Sequence, residues 1–534
     1  WGESGYRWMP SGNDGWSKSF SQNLYAQYSY RFLRQGRQML LVASVNNNDQ
    51  TTDRDYYSNG SGKTSKKSPD LATIAYTYSR KQQESSTRTF RLQPTYKDRI
   101  GRYSTINLTY RLQAQLRSRD LLSYSTGADH VIDAANLNSR SSSSIEGMFL
   151  YHQAGVGYRY GRNRNWFSVS AMYQNSRLSH HNLWTGESVK RIYHNPVYNA
   201  TLQWSFDSSN TLRVSATSDV KEPSLWQMLD VYDVSNSQYI TIGNPDLRPY
   251  TEHNYFARYT NISQRHGTTF MIMAKAMLRP NYIGTSIDYS PETIEIDGKK
   301  YNPLQLSKPI NLDGYLSFEG RTSIGFPITF LGSNLNIALG ATYSNVPIRL
   351  NGNDELMNNL TAYTDWTLGS NISENVDFTL RYNLSYSDNK AGTNVLNNQF
   401  INHRATANIK AVLPLGFTLT TSCLFTQYIG ITNKYNDSFV LWNASVGKKV
   451  LRNLGEVELC VNDILNQNTS FARGVWAGYS QVRYNSTMGR YFLVKFTYNI
   501  RSFTPGTKQL KIAKASGVPT NFFDRIEHRL NSLK

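Results

Sequence analysis

Alternation of apolar and polar residues with a period of two recurs along this chain, and it constrains the fold more than any other feature. In TINLTYRLQAQLR (105–117) the even-numbered residues are apolar or aromatic and the odd-numbered residues are polar. GSNLNIALGATYSN (332–345) and VDFTLRYNLSYS (376–387) repeat the pattern. Each run lasts about ten residues, the length of a tilted membrane-spanning strand. We therefore predict an all-β fold, a large transmembrane antiparallel β-barrel with an apolar face toward lipid and a polar face toward a wet interior.

A large soluble barrel or propeller is the alternative fold. Its strands would be short, and its polar face would meet bulk water. The sequence lacks the regular blade-like repeats of a propeller, which favours the membrane barrel. No apolar run approaches the roughly 18–20 residues that a membrane helix needs.

Short and long turn-rich segments alternate between the predicted strands. Short turns are predicted near Gly36, Gly101, Arg164, Ser208, Arg265, Gly332, Asn371, Pro414 and Leu454. Longer polar loops are predicted at 47–84, 118–148, 178–196, 220–252, 281–311, 345–357, 387–402, 429–438 and 464–486. Outer-membrane barrels have short periplasmic turns and long external loops. Nine short turns join eighteen strands, and GRYFLVKFTYNI (489–500) adds one more, so we expect about 19 visible strands.

The net charge of +19 narrows the choice of partners. Basic residues are spread along the chain, which fits an anionic membrane surface or a cationic lumen. Because no basic helix or nucleic-acid motif accompanies them, we expect no nucleic-acid partner. The two cysteines, Cys423 and Cys460, are predicted to point to opposite sides of the sheet two strands apart, so no disulfide is expected.

Three segments are predicted. Residues 1–17 form an external loop or the remnant of a missing N-terminal region, 18–503 form the barrel, and 504–534 form a periplasmic tail. WGESGYRWMP shows no signal peptide, so the start has been removed or the chain is a fragment. In the tail, Asn521 is a candidate cap for a short amphipathic helix that contacts a partner or the underside of the barrel; a frayed end is the alternative. The contact residues are Phe522, Ile526, Leu530 and Leu533.

Two motifs resemble known outer-membrane proteins. RVSATSDVKEPSLWQML followed by GNPDLRPYTEHNY resembles the barrel of TonB-dependent receptors. FVLWNASVGKKVLRNLGEVELCVNDILNQNTSFARGV (439–475) with GRYFLVKFTYNIRSF (489–503) is similar to the β-barrel family found beside SusC-like receptors. The residues that carry the resemblance are Gly243, Asn244, Pro245, Leu247, Pro249, Trp442, Asn443, Asp463 and Asn466.

The resemblance implies a barrel of about 22 strands in the intact protein, of which the 19 visible strands are the fourth to the last. It also implies an N-terminal plug that meets an energy-coupling protein, and often a surface lipoprotein lid. The sequence shows neither plug nor coupling box. Either the native chain is longer, or this member lost its plug and serves another role.

Aromatic residues in the predicted loops are candidates for gripping a sugar, a peptide or a partner, with loop packing as the alternative. They are Trp184, Trp226, Tyr232, Tyr239 and Trp476. Charged residues at lumen-facing positions are Arg111, Arg117, Arg381, Asp377, Glu456 and Glu458. The arginines either favour anionic solutes or pair with the three carboxylates and stiffen a filled interior, and we favour pairing.

The remaining motifs do not predict a phosphate-binding, metal-binding or catalytic site. GSGKT (60–64) resembles a phosphate loop, but Tyr57 stands where a full motif has glycine. His180 and His181 point apart if they lie in a strand, and a solvated loop pair is the favoured interpretation. No triad, paired-carboxylate or HExxH pattern stands out, so we expect no enzyme, no catalytic or metal-binding residue and no cofactor.

Three functions remain, all in the outer membrane of a Gram-negative bacterium. The first is an importer like the TonB-dependent receptors, taking up a bulky glycan, peptide or chelate. The second is a non-transporting barrel subunit of an outer-membrane assembly or secretion complex, which predicts co-purifying envelope proteins. The third is an open porin, which predicts a large steady conductance. Lipid and lipopolysaccharide are expected partners in every case.

Overall fold

The fold is all-β. The computed structural model describes residues 6–7, 11–58, 64–65, 76–234, 236, 238–289, 291–296, 298–370, 375–391, 396–430, 436–451, 454–468, 470–476, 479–485 and 488–498. The strands are β1 (Tyr6–Arg7), β2 (Ser11–Arg31), β3 (Gln38–Ser58), β4 (Thr64–Ser65), β5 (Thr77–Arg99), β6 (Ser104–Thr126), β7 (Ser143–Arg162), β8 (Asn165–Asn182), β9 (Ser188–Ser205), β10 (Asn210–Lys221), β11 (Tyr232–Asp233), β12 (Tyr239–Ile242), β13 (Tyr250–Ser263), β14 (Thr268–Arg279), β15 (Tyr282–Tyr289), β16 (Ile294–Ile296), β17 (Lys299–Tyr301), β18 (Gln305–Leu312), β19 (Tyr315–Ile328), β20 (Ser333–Leu350), β21 (Asn353–Ser370), β22 (Val376–Ala391), β23 (Leu396–Val412), β24 (Phe417–Gly430), β25 (Asn436–Val450), β26 (Gly455–Asn462), β27 (Ser470–Trp476), β28 (Tyr479–Asn485) and β29 (Tyr491–Tyr498). Short 3₁₀ turns occupy Ala134–Asn136, Ser139–Ser141, Trp226–Met228, Thr329–Leu331 and Pro414–Gly416. Among the described residues, no helix is long and apolar enough to cross a membrane.

Nineteen strands lie side by side in one barrel wall. Antiparallel pairing joins β2 to β3, β3 to β5, each strand from β5 to β10 to the next, β10 to β13, β13 to β14, β14 to β19, each strand from β19 to β26 to the next, and β26 to β29. The prediction of an antiparallel barrel with about 19 visible strands is confirmed. Within the described residues β2 pairs only with β3 and β29 only with β26, so these two strands stand at the ends of the wall.

The outward face of the wall is apolar. On four neighbouring strands, Phe318, Leu339, Trp366 and Leu380 are between 41 % and 53 % exposed. Side chains this large are stable in an exposed position when they meet lipid, because water contact costs about 25 cal/mol per Å² of apolar surface. The opposite face of the same strands is polar, and there the Asn383 amide donates to Asp365 at 2.6 Å. The predicted alternation of lipid-facing and lumen-facing residues therefore holds.

The short turns lie where they were predicted. They occupy 32–37, 100–103, 163–164, 206–209, 264–267, 329–332 and 413–416, while residues 371–374 and 452–453 of the other two fall outside the described residues. Gly36 has φ +86°, which L side chains rarely adopt, and a Cβ there would meet the Arg99 side chain at 2.6 Å. Cys423 lies opposite Trp442 and Cys460 opposite Ser445, on opposite faces of the wall as predicted.

Several predicted long loops are wrong, because the strands continue beyond the membrane. The predicted loop 345–357 is a tight hairpin between β20 and β21, and most of 47–84 and 178–196 belongs to strands. β5 and β6 have 23 residues each, about 75 Å when extended, whereas the apolar band is about 25 Å tall. Outside the band both faces meet water, so both carry polar residues. The alternation disappears from the sequence although the strand pairing continues.

The predicted boundary at residue 18 is also wrong. β2 begins at Ser11 and pairs with β3 as far as Ser58, so residues 11–17 extend a wall strand and are not a loop. The tail 504–534, with Phe522, Ile526, Leu530 and Leu533, lies outside the described residues and stays a prediction.

Four further strands leave the wall and cross its outer mouth. β11 pairs with β12, β12 runs parallel to β18, β18 is antiparallel to β15, and β15 runs parallel to β20 of the wall. We call β11, β12, β15 and β18 the bridging sheet. It is built from the connections 222–249 and 280–314. At the β20 end, Ile287 packs against the inward-facing Ile348 and Leu350.

Candidate binding site at the outer mouth

Apolar side chains fix connection 222–249 to the inner wall. Met228 and the fully buried Leu247 pack against Phe149, Tyr151 and Leu178. These three residues occupy inward positions of β7 and β8. Burying a side chain of this size stabilises a fold by about 1.5–3 kcal/mol. The connection is therefore a packed layer inside the mouth of the barrel.

Three ion pairs join the same connection to three wall strands. Lys81 Nζ lies 2.6 Å from Asp233 Oδ1, and Arg117 Nη2 lies 2.5 Å from Glu222 Oε1. Arg191 Nη2 lies 2.8 Å from Asp246 Oδ1. Lys81, Arg117 and Arg191 stand on β5, β6 and β9, so the connection is tied across a broad sector of the wall.

The GNPDLRP motif (243–249) supplies the tight turn that closes the connection. A Cβ on Gly243 would meet the Leu229 carbonyl oxygen at 2.0 Å, so only glycine fits. The Asn244 backbone N–H donates to the Gln227 carbonyl at 2.6 Å, and its side-chain amide donates to the Pro309 carbonyl at 2.9 Å. Pro245 follows in the turn. The motif thus links the two connections that form the bridging sheet.

Asn311 completes this link, and the sequence analysis missed it. Its side-chain oxygen accepts the Arg248 N–H at 2.9 Å, and its amide donates to the carbonyls of Arg248 and Asn281 at 3.0 Å each. Asn281 in turn donates to the Pro249 carbonyl at 3.0 Å. The only sequence signal is the turn-forming run NLDG (311–314) at the end of β18, which marked a loop boundary and not a linker.

The second motif that carries the family resemblance, in 439–475, orders the connection after β26. Asp463 is 2 % exposed, and its carboxylate accepts the backbone N–H groups of Gln467 and Asn468 at 2.9 and 3.1 Å. Its own N–H donates to the Asn443 side chain at 2.8 Å. Asn466 accepts the Arg490 N–H at 3.0 Å, and the Trp442 indole donates to Thr421 at 2.9 Å. These residues shape the backbone and offer no free chemical group.

The predicted aromatic residues divide into two groups. Trp184, at the tip between β8 and β9, and Trp226, in a 3₁₀ turn, are 43 % and 47 % exposed. Tyr232 is half-buried on β11 beside the apolar cluster of Ile240, Ile296 and Tyr301, and Tyr239 is half-buried on β12. The Trp476 side chain falls outside the described residues. Two exposed tryptophans thus remain as candidate ligand contacts at the outer end.

Two of the predicted lumen arginines, Arg111 and Arg117, have partners other than Asp377, Glu456 and Glu458. Arg117 pairs with Glu222, and Arg111 Nε donates to Gln93 at 2.9 Å. Asp377 accepts a hydrogen bond from Ser370 at 3.0 Å, Glu456 accepts one from Thr418 at 2.5 Å, and Glu458 pairs with Lys495 at 2.9 Å. Arg381 is exposed on the inward face, opposite Thr367 and Thr406. The pairing that was predicted between these arginines and these carboxylates is wrong, because each carboxylate finds a partner no more than two strands away.

His180 and His181 lie in β8 and not in a loop, and they point apart. His180 is buried inside, where burial and then the charge of Arg191 lower the pKa of its ring. His181 is exposed outside, with Nδ1 2.8 Å from the Ser188 hydroxyl. Among the residues that the structure describes, no cluster of three or more His, Cys, Asp or Glu side chains is arranged to hold a metal ion.

A sequence model of the outer membrane protein beta-barrel family matches residues 30–498. This chain belongs to that family. Family membership and the lipid-facing wall place it in the outer membrane of a Gram-negative bacterium. Comparison with curated proteins gives no significant match.

Solved structures that resemble this family member are transporters or receptors by their titles. The ferric citrate transporter FecA is 10 % identical, with a TM-score of 0.42, over 85 % of this chain and 60 % of that chain. The ferric-catecholate import receptor Fiu from K12 E. coli is 10 % identical, with a TM-score of 0.42, over 92 % and 82 %. The siderophore receptor PiuA from Acinetobacter baumannii is 10 % identical, with a TM-score of 0.39, over 93 % and 82 %. This chain therefore spans three fifths of FecA.

Proposed function

We propose that this chain forms the barrel of a receptor-like transporter that imports a bulky nutrient, whether glycan, peptide or metal chelate. The bridging sheet carries the proposal. Connection 222–249, which supplies two of the sheet's strands, packs on β7 and β8 through Met228 and Leu247, and the sheet's strand β15 pairs with β20, so the sheet crosses the outer mouth. An open porin needs a clear lumen for continuous diffusion, whereas a receptor binds its ligand outside and admits it by moving a closure. The crossing sheet favours the receptor.

The exposed tryptophans give the proposed receptor a first contact for its ligand. Trp184 and Trp226 present aromatic faces at the outer end, and aromatic faces stack on sugars and on planar chelating groups. Ligand binding beside the bridging sheet then favours a state in which the sheet separates from the wall. Under this proposal an energy-coupling protein acts through a plug, and a surface lipoprotein covers the mouth.

A strain that lacks this protein tests the proposal. It is grown with a branched glycan, a peptide mixture or a ferric chelate as the sole source of carbon, nitrogen or iron. We expect a growth defect on one class, restored by the wild-type gene and not by the W184A/W226A variant. Equal growth on all three classes, together with co-purification of a fixed set of envelope proteins, would favour the non-transporting subunit and overturn import.

A further inference from the structure

The inner face of β5 to β9 carries basic side chains and no acidic ones. Alternate residues of these strands share the inward face with Phe149 and Leu178, and the pairing register extends this assignment from strand to strand. No inward position of the five strands holds Asp or Glu. Four basic residues stand inward near the outer mouth, namely Lys81, Arg117, Arg119 and Arg191. Inward carboxylates do occur elsewhere in the wall, as at Asp365, so this sector is a local excess of positive charge.

Connection 222–249 packs over this sector and carries the opposite charge. It has four acidic residues and one basic residue, in a chain whose net charge is +19. Between the connection and the wall, the described residues form three ion pairs, and in each the cation is on the wall and the carboxylate on the connection. We call them the wall cations, Lys81, Arg117 and Arg191, and the connection carboxylates, Glu222, Asp233 and Asp246. Opposite charge therefore helps to hold the connection in the mouth.

The carboxylate is the more exposed partner in every one of these ion pairs. The side chains of Lys81, Arg117 and Arg191 are 10 %, 14 % and 28 % exposed, and the carboxylates that pair with them are 57 %, 22 % and 85 % exposed. An ion pair that water reaches contributes little to stability, whereas a buried cation that loses its partner is costly. A carboxylate from outside can therefore replace a connection carboxylate, provided that it pairs with the same cation.

Arg119 stands on β6, two residues from Arg117, and belongs to none of the ion pairs among the described residues. Its Nη2 donates to Gln83 at 2.8 Å, but its Nε is buried with no hydrogen-bond partner in the part of the chain that the structure describes. Burial lowers the pKa of the Arg119 guanidinium, and the charge of Asp233 opposes this only in part. Because the guanidinium fork binds carboxylates well, Arg119 offers a place for a further one.

We propose that the imported nutrient is a polycarboxylate, whose carboxylates replace the connection carboxylates on the wall cations and also reach Arg119. This inference rests on the proposed import function. In the closed mouth the connection occupies the site as a tethered competitor. A ligand that takes over the wall cations removes the ion pairs that hold the connection, so binding is coupled to opening. A neutral glycan or peptide would leave those ion pairs intact.

Binding to the intact protein in neutral detergent, measured by calorimetry, tests the proposal. Each of two probe pairs differs in charge and not in chain length: capped tetraglutamate with capped tetraglutamine, and tetragalacturonate with its methyl ester. We expect the carboxylate member of at least one pair to bind at least about ten-fold more tightly than its neutral counterpart, because charge-assisted hydrogen bonds are the strong ones. Its binding should speed hydrogen exchange in 222–234 and leave β20 to β26 unchanged.

Removal of the tethered competitor should strengthen binding. In E222Q/D233N/D246N we expect the carboxylate probe to bind about ten-fold more tightly, with about two-fold from each partly exposed ion pair. The control is D354N, which breaks the ion pair of Arg349 and Asp354 at 2.6 Å near the hairpin between β20 and β21. D354N should leave the affinity unchanged.

Removal of the wall cations should have the opposite effect. In K81Q/R117Q/R191Q we expect the carboxylate probe to bind at least about ten-fold more weakly. If these ion pairs were only structural, both triple variants would loosen the connection and would change the affinity in the same direction. If either triple variant does not fold, judged by heat-modifiable gel mobility, D233N and K81Q replace them, with the same opposite signs expected.

Four results would overturn the proposal: no binding of either carboxylate probe, equal binding of the charged and neutral members of both pairs, unchanged exchange in 222–234, or affinity changes of the same sign in the two variants. These results are independent of import. Carboxylate-selective binding with equal growth of the deletion strain would retain the site and reject import. A growth defect with equal binding of charged and neutral probes would retain import and reject the site.

Discussion

At the scale of single residues, side-chain amides hold the outer mouth together. Asn244 and Asn311 bridge the two connections through hydrogen bonds of 2.9–3.0 Å between residues that are 63 or 65 positions apart in the chain. The sequence marked Asn244 because it belongs to a recognisable motif. It did not mark Asn311, because a polar residue near a loop end has no pattern of its own until its partners are known.

Removing the Asn311 amide should loosen the bridging sheet without unfolding the wall. N311A loses three hydrogen bonds, and because two of them are exposed we expect a loss of about 1–3 kcal/mol of local stability. Hydrogen exchange should become faster in 244–249 and 305–312 and stay unchanged in β20 to β26. N254A, which removes one wall hydrogen bond to Glu252, is the control. Unchanged exchange at 244–249 in N311A would contradict the assigned link.

Acid should weaken the outer ends of β3 and β5. Arg80 donates to Asp53 at 2.9 and 2.8 Å, and this hydrogen bonding holds the pKa of the Asp53 carboxyl below its ordinary value. Because the pKa of Asp53 is lower in the folded protein than the value of about 3.9 in the unfolded chain, ionised Asp53 stabilises the fold at pH values above about 3.9. This contribution is lost as the pH falls through the pKa of the folded state. The pair is partly exposed, so we expect about 1 kcal/mol.

Hydrogen exchange of 50–58, corrected for its intrinsic pH dependence, measures this effect. Protection should be constant between pH 7 and pH 5 and should fall below about pH 4. D53N should show lower protection at neutral pH and no further loss in acid. An equal acid loss in wild type and D53N would assign the effect to another group.

At the scale of strands, the sequence predicted the strand segments that cross the membrane and missed the parts of the strands that extend beyond it. Where one face meets lipid, as in 105–117 and 376–387, alternation identifies a strand, and the seven short connections that the structure describes in full lie where they were predicted. Above the band, residues 47–58 and 77–84 are polar on both faces and look like loop in the sequence. The bridging sheet escaped prediction for another reason, since β12 and β18 pair only through contacts between distant segments.

Engineered cysteines test the parallel register of the bridging sheet. Thr241 on β12 lies directly opposite Ser307 on β18. In a background with Cys423 and Cys460 replaced by serine, T241C/S307C should form a disulfide on mild oxidation. T241C/K308C is the matched control, because successive strand residues point to opposite faces. Gel mobility without reductant reports the cross-link. Equal cross-linking of both pairs would contradict this register.

At the scale of the whole molecule, the barrel wall and the bridging sheet across its mouth are joined by side-chain packing and by strand pairing. The wall belongs to a family found in the outer membrane, and the proposed receptor-like function rests on the sheet that crosses the mouth. Alternation in the sequence predicted the wall. The closure could not be predicted, because its contacts arise only when inward residues such as Phe149 and Leu178 meet Met228 and Leu247.

Planar-bilayer conductance of the intact protein, purified from outer membranes, tests the closed mouth most directly. If the bridging sheet closes the barrel, single insertions should carry no large steady current, and any current should appear as brief events. Denaturant at a concentration that leaves the wall folded should increase those events, because it opens the bridging sheet first. A large steady conductance under native conditions would contradict the closed receptor and make the protein a porin.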